Sequence, residues 1–289
     1  MAPRDFDSIA AQLAPAQAIP LTRRRRLMET LCPEIKDQIL RDRGRTGPFQ
    51  FWGLCSNHDE IANQTIVAAE IVELISSLAE YDSSPQSPHA GLQHTYGYLF
   101  STIETPFGRK RDRWINEDLE AAFGQPSGTF GPAPEEGTLL ANVTWLAGQI
   151  AFRNDARIGW LRRALRSRVA ASLLTLDLSQ LNLLRMTETI RGRFGSDRRQ
   201  STVILRTDLI RLPAVNTWYQ GPPWLLVYSI HDRREPHPQL VTLFTVSEQV
   251  REEMEARCQE HTRTDIRLRY NAVVRGVSHD HYRGECRLQ

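Results

Sequence analysis

Between His94 and Arg113 the chain reads HTYGYLFSTIETPFGRKRDR: an imidazole, two tyrosines, the Glu104 carboxylate and then the cations Arg109, Lys110, Arg111 and Arg113. The aromatic and β-branched content of Tyr96 to Ile103 predicts a strand, broken by Thr105-Pro106-Phe107-Gly108. Alternation along that strand would put Tyr96, Tyr98, Phe100, Thr102 and Glu104 on one face, with His94 in phase. A carboxylate beside aromatic walls is partly desolvated, which raises its pKa and makes it a better base near neutral pH. Glu104 is therefore the candidate general base. The plain alternative is an ordinary strand-end ion pair between Glu104 and Arg109 or Arg111.

A second candidate is Cys55. It precedes an expected helix N-terminus, where the dipole lowers a thiol pKa, and His58 or His94 would serve as its base in a hydrolase or acyl transferase. Against this, a cysteine beside Trp52 and Leu54 also reads as a small buried hydrophobe. The chain contains no GxxxxGK[ST], no GxGxxG after a strand, no HExxH and no GxSxG. Nucleotide-driven, zinc-protease and serine-hydrolase readings fall with those motifs. His231 with His237, or His279 with His281, lacks a third ligand at a recognisable spacing, so no metal is expected.

The elements that must hold these groups follow from periodicity. Met1 to Thr46 reads as an Arg-rich helical lead-in, with Arg23 to Arg26 as a solvated helix start. Asn57 and Glu60 suggest a capping box for a long apolar-striped helix from about His58 to Glu80. Ile115 to Phe123, Leu139 to Phe152, Ala156 to Leu176 and Leu178 to Ile190 suit helices. After Ser201 the pattern turns to strands: Thr202 to Leu212, Trp224 to His231, Leu240 to Val246 and Ile266 to Val274, with one helix from Val246 to Glu260. The expected fold is α+β, with a mainly helical part over 1–195 and a mostly antiparallel β-rich part over 196–289, one core shared over 1–289 being the alternative.

Composition narrows the class. Of 289 residues 40% are hydrophobic, and 36 Lys+Arg against 34 Asp+Glu leave a net charge of +2. That balance argues against disorder and against a nucleic-acid partner. No run approaches the ~20 apolar residues of a membrane span, and the N-terminus lacks the basic-then-apolar order of a secretory signal. A cytoplasmic protein is expected. The four cysteines are widely spaced with no CxxC, which reads as reduced thiols. Lys36 and Lys110 are the only lysines, so an imine on the protein's own lysine side chains could form at those two positions alone.

The run YGYLFSTIETPFGRKRDRW, with RDRGRTGPFQFWGL upstream and WLLVYSIHDRREPHPQLVTLF downstream, resembles the actinobacterial β-carboline-forming Pictet–Spengler enzymes of the marinacarboline and kitasetaline type. The resemblance spans most of the chain. It implies a homodimer, without cofactor, that joins L-tryptophan to a small aldehyde, closes a third ring, and then loses carboxylate and is oxidised. The family's essential acid maps onto Glu104 and its active-site histidine onto His94. Arg109, Lys110 or Arg111 would bind the acidic end of an oxo-acid aldehyde, while Tyr96, Tyr98, Trp52 and Trp145 would wall a flat indole. An arginine that members use to hold a carboxylate has no counterpart, because no Arg lies between Arg45 and Arg109.

Overall fold

The computed structural model describes residues 5–44, 47–59, 62–82, 84–105, 108–152, 182–194, 199–212, 221–232, 235, 237–259 and 284–288. The expected helix over 156–176, the expected strand over 266–274 and the pair His279 and His281 lie outside the described residues.

The α+β organisation is as expected. Three helices lead in: α1 (Phe6–Leu13), α2 (Leu21–Leu31) and α3 (Pro33–Asp42). Asp5 caps α1, its side chain accepting from Asp7 N and Ser8 N at 3.1 Å each, and Pro33 opens α3, where a missing N–H is harmless. Within the Arg23 to Arg26 run, Arg24 is buried and paired with Glu73 at 2.6 Å, so that helix start is not wholly solvated.

The long helix expected from His58 is replaced by a two-strand hairpin, β1 (His58–Asp59) with β2 (Gln64–Thr65), and a shorter α4 (Ala69–Leu78). Asn57 is the cause. Instead of capping a helix, its amide clamps the far side of the loop, accepting from Val67 N at 3.0 Å and donating to Val67 O at 2.7 Å. Asn63 sits at φ 51, a left-handed turn conformation that asparagine tolerates.

The strand expected over Tyr96 to Ile103 is also absent. The chain there forms α5 (Ala90–Thr95) and a 3-10 turn, Gly97–Phe100, and every residue from Ala90 to Ser101 is buried. A segment covered on all sides carries no periodicity to separate helix from strand, and packing then overrides the β-propensity of tyrosine and threonine. Two short helices follow, α6 (Asp112–Ile115) and α7 (Asp118–Phe123), then α8 (Leu139–Ala151). Thr138 caps α8, accepting from Ala141 N at 3.1 Å.

The strands make one antiparallel sheet of order β6-β5-β4-β3-β7. They are β3 (Leu183–Phe194), β4 (Arg199–Arg211), β5 (Trp224–Asp232), β6 (Gln239–Val246) and β7 (Gly284–Leu288), with α9 (Glu248–Gln259) after β6. The segment 183–190, expected to be helical, is strand. β3 and β4 pair antiparallel, Leu183↔Ile210 through Phe194↔Arg199, so strand already begins at Leu183, ahead of the expected division at 195/196. A single buried cluster runs from Phe6 to Cys258 and joins the helical and β-rich parts. Cys258 is disulfide-bonded while Cys32 and Cys55 carry free thiols, so the reading of four reduced thiols was wrong. Wide spacing in sequence conceals a pairing that the fold makes.

Residues 52–55 tie α5 to the sheet. Trp52 bridges Leu240 on β6, Gly53 N donates to Leu240 O at 2.9 Å, and Ala90 N donates to Gly53 O at 2.8 Å. The contact is close enough that a Cβ on Gly91 would lie 2.7 Å from Trp52 Cγ and 2.9 Å from Leu140 Cδ1. Gly91→Ala is therefore expected to lower stability by about 1–3 kcal/mol through overpacking, read as a shift in the urea midpoint.

Candidate functional site

The structure separates the predicted site residues into three groups. His94, Tyr98 and Lys110 come together. Glu104, Arg109 and Arg111 lie elsewhere in ordinary ion pairs, and Tyr96, Trp52 and Trp145 belong to the core.

Glu104 is at the surface. Its side chain is 65% exposed and pairs with the Arg109 guanidinium, itself 44% exposed. With the strand gone, nothing aligns Glu104 with the aromatic row, and the strand-end ion pair is the arrangement found. The sheltered-base assignment is corrected accordingly. Arg111 makes two bonds to Asp7, at 2.7 and 2.6 Å, and so anchors α1. Its guanidinium holds the Asp7 carboxyl below the usual range. Tyr96 donates to Asp42 Oδ2 at 2.5 Å, and Trp52 Nε1 donates to Thr144 Oγ1 at 2.7 Å. Trp145 is buried in α8.

His94 and Tyr98 remain neighbours for a reason other than strand alternation. Four residues apart on a helical path they meet edge to face, ring centres 4.6 Å apart. His94 Nδ1 lies 2.7 Å from Ala90 O; a carbonyl only accepts, so Nδ1 carries the proton and Nε2 holds the lone pair. Burial, and after it Arg113, push the imidazole pKa well below its ordinary 6.5. His94 is neutral at pH 7. Trp114 Nε1 donates to His94 O at 2.7 Å and so fixes the end of α5 against α6.

Lys110 reaches the same corner from the start of α6. Its Nζ lies 5.3 Å from the Tyr98 ring centre and 3.8 Å from Asp59 Oδ2, the two side chains being 3% and 0% exposed. Burial, reinforced by Arg113, brings the amine down to about 7, with Asp59 opposing that shift. The Arg113 guanidinium lies 5.2 Å from the Tyr98 ring centre and 4.3 Å from that of Phe244, and donates to Thr242 Oγ1 at 3.3 Å. Thr242 and Phe244 alternate onto one face of β6, so the sheet forms one wall of the corner.

Asp59 and Arg113 were not among the predicted site residues. Arg113 had a readable signal: Lys110, Arg113 and Trp114 stand at i, i+3 and i+4, the spacing of one helical face. Asp59 had none, since its loop was expected to be helix.

Cys55 does not suit a nucleophile. It is buried, donates to Gln93 Oε1 at 2.6 Å, and burial pushes its pKa up, so the thiol stays protonated. His58, the first base considered for it, sits at the surface against Asn63. An open groove of about 610 Å³ beside α3, lined by Glu34, Asp37, Arg41 and Arg43, contains none of these residues. Among the described residues no helix is long and apolar enough to cross a membrane, and no group of three His, Cys, Asp or Glu could hold a metal ion.

What the corner offers chemically is a neutral base, an aromatic face, an amine titrating near neutrality and a permanent cation, in one low-dielectric place. No family model matches the chain, and no curated protein or solved structure does either.

Proposed function

We propose that the protein is a condensing enzyme of the Pictet–Spengler type, joining L-tryptophan to a carboxylate-bearing aldehyde and closing the third ring of a β-carboline at the His94–Tyr98–Lys110–Arg113 corner. The observation that carries this reading is the neutral His94 imidazole, one nitrogen committed to Ala90 O and the other a lone pair, beside an aromatic ring and two cationic side chains. The sequence runs quoted above supply the reaction class; the corner supplies residues suited to each step.

Arg113 and Lys110 would hold carboxylates, which suits an oxo-acid aldehyde and an amino acid better than neutral partners. Their anions also offset the positive field that would otherwise oppose a cationic iminium. Tyr98 would pack against the indole plane. Ring closure leaves a cationic intermediate whose proton at the indole carbon is strongly acidic, so a base as weak as His94 suffices to remove it and restore aromaticity. The role that the resemblance assigns to Glu104 passes to His94 in this reading. The homodimer and the aldehyde partner belong to the same proposal; light scattering of the pure protein reads the first.

Pure protein incubated with L-tryptophan and glyoxylate, and with a panel of other small aldehydes, should yield a product of the mass of the two substrates less water. No such mass with any aldehyde would overturn the reading. If tryptophan then still raised the melting temperature, the protein would be a binder of aromatic metabolites and not an enzyme.

A further inference from the structure

The groove of about 610 Å³ beside α3 lies apart from the corner, and its volume is that of a small-ligand site. Glu34, Asp37 and Arg41 stand at i, i+3 and i+7 on α3 and so share the helix face that lines it, and Arg43 extends the row past the end of the helix. Ala133 and Pro134 supply the other wall, with Leu40 adding an apolar side chain. Buried side chains of α3 fix the two walls to each other. Gln38, 1% exposed, donates to Pro132 O at 2.6 Å and accepts from Leu139 N at 2.8 Å, while Asp42 accepts from Thr138 Oγ1 at 2.8 Å. A groove braced in this way needs little reordering to bind.

The charges along the row are segregated, with the acids Glu34 and Asp37 toward the start of α3 and the cations Arg41 and Arg43 toward its end. Asp37 and Arg41 stand four apart with the acid first, the orientation that favours an intrahelical pair. Both are exposed, yet they form no ion pair with each other, and Arg43 turns to Glu80 at 3.3 Å. The helix dipole accounts for an acid in the first turn and a base in the last; it accounts for neither Asp37 nor the second wall.

We propose that this groove binds a short extended peptide with free ends, its amine against Glu34 and Asp37 and its carboxylate against Arg41 and Arg43. The length follows from helix geometry. Glu34 and Arg41 are seven positions apart, which at about 1.5 Å per residue sets the two charges about 10 Å apart. Extended backbone covers about 3.3–3.6 Å per residue, so about three residues span that distance. A single amino acid is too short to reach both ends, and Leu40, Ala133 and Pro134 suit an apolar middle residue. The site is independent of the condensing reading, which concerns the His94 corner.

Titration calorimetry of the whole protein with the tripeptide Ala-Leu-Ala at low salt tests it. Saturable binding with a Kd of about 1 mM or below is expected. Acetylating the amine or amidating the carboxylate removes one terminal charge, and each change should weaken binding by about 3–10-fold. Asp37→Asn should weaken the free peptide by about 2–5-fold and leave the acetylated one unaffected, while Arg41→Gln should do the same for the free and the amidated peptide. That matching of variant to blocked end is what a merely structural role would not produce. Both side chains are exposed, so neither variant should shift the melting temperature. His94→Asn should leave the affinity unchanged. No saturable binding up to about 10 mM, equal affinity for free and blocked peptides, or full affinity in both groove variants would overturn the proposal. Loss of affinity in His94→Asn would overturn it too, by placing the peptide at the corner.

Discussion

Replacing His94 by asparagine is expected to lower the ring-closure rate by about 10²–10⁴-fold, the range associated with losing a positioned general base, while Glu104→Gln leaves it essentially unchanged. Asparagine keeps a donor where Nδ1–H meets Ala90 O and removes the Nε2 lone pair, so α5 retains its internal bond while the base is lost. Glu104 is solvated against Arg109, and its neutralisation removes only a surface ion pair. The sequence taken alone predicts the opposite ranking. Because burial holds the imidazole well below 6.5, the His94 contribution to the rate should show no titration near neutrality and be lost only in acid. Initial rates of both variants across pH decide it: loss of turnover in Glu104→Gln with retention in His94→Asn would return the base to Glu104.

The second large effect concerns stability. Glu120 on α7 is buried and accepts from Phe130 N at 2.6 Å, and burial raises its carboxyl from 4.5 to about 7. A folded-state value above the unfolded one means that the stabilising contribution is complete below about pH 4.5 and is lost as pH rises through about 7. The shift, 7 − 4.5, corresponds to about 3 kcal/mol at about 1.4 kcal/mol per unit. Glu120→Gln keeps an acceptor for Phe130 N and cannot ionise. It is expected to be more stable than the wild type by about 1–3 kcal/mol near pH 9, with the difference closing near pH 4. Lys110, Asp42 and Asp208 also titrate with shifted values, but they do so in both proteins and cancel in the comparison. Urea midpoints at the two pH values measure it; a difference that does not change with pH would show that the Glu120 carboxyl does not ionise in this range.

Much of the β-rich part was readable because its signals are local. The strands at 199–211, 224–232 and 239–246 each carry apolar, β-branched runs bounded by turn residues, and α8 announces itself by a Thr138 cap ahead of an apolar stretch. Two of the failures share one cause. At Asn57, and again from Ala90 to Ser101, the competing signals were equal in sequence, and a buried side-chain amide or an all-round packing environment chose between them.

The candidate site divides along the same line. That chemistry concentrates between His94 and Arg113, and that any imine on a lysine side chain must fall on Lys36 or Lys110, needs no coordinates: both follow from residue identity. Which carboxylate is sheltered and which lysine is stripped of water do not follow, because desolvation is set by groups distant in the chain. Asp59 and Tyr98 close over Lys110, Thr242 and Phe244 on β6 hold Arg113 beside it, and Glu104, five residues before Arg109, is left facing solvent. Charge state depends on the dielectric that a fold builds around a residue, and that property has no local spelling.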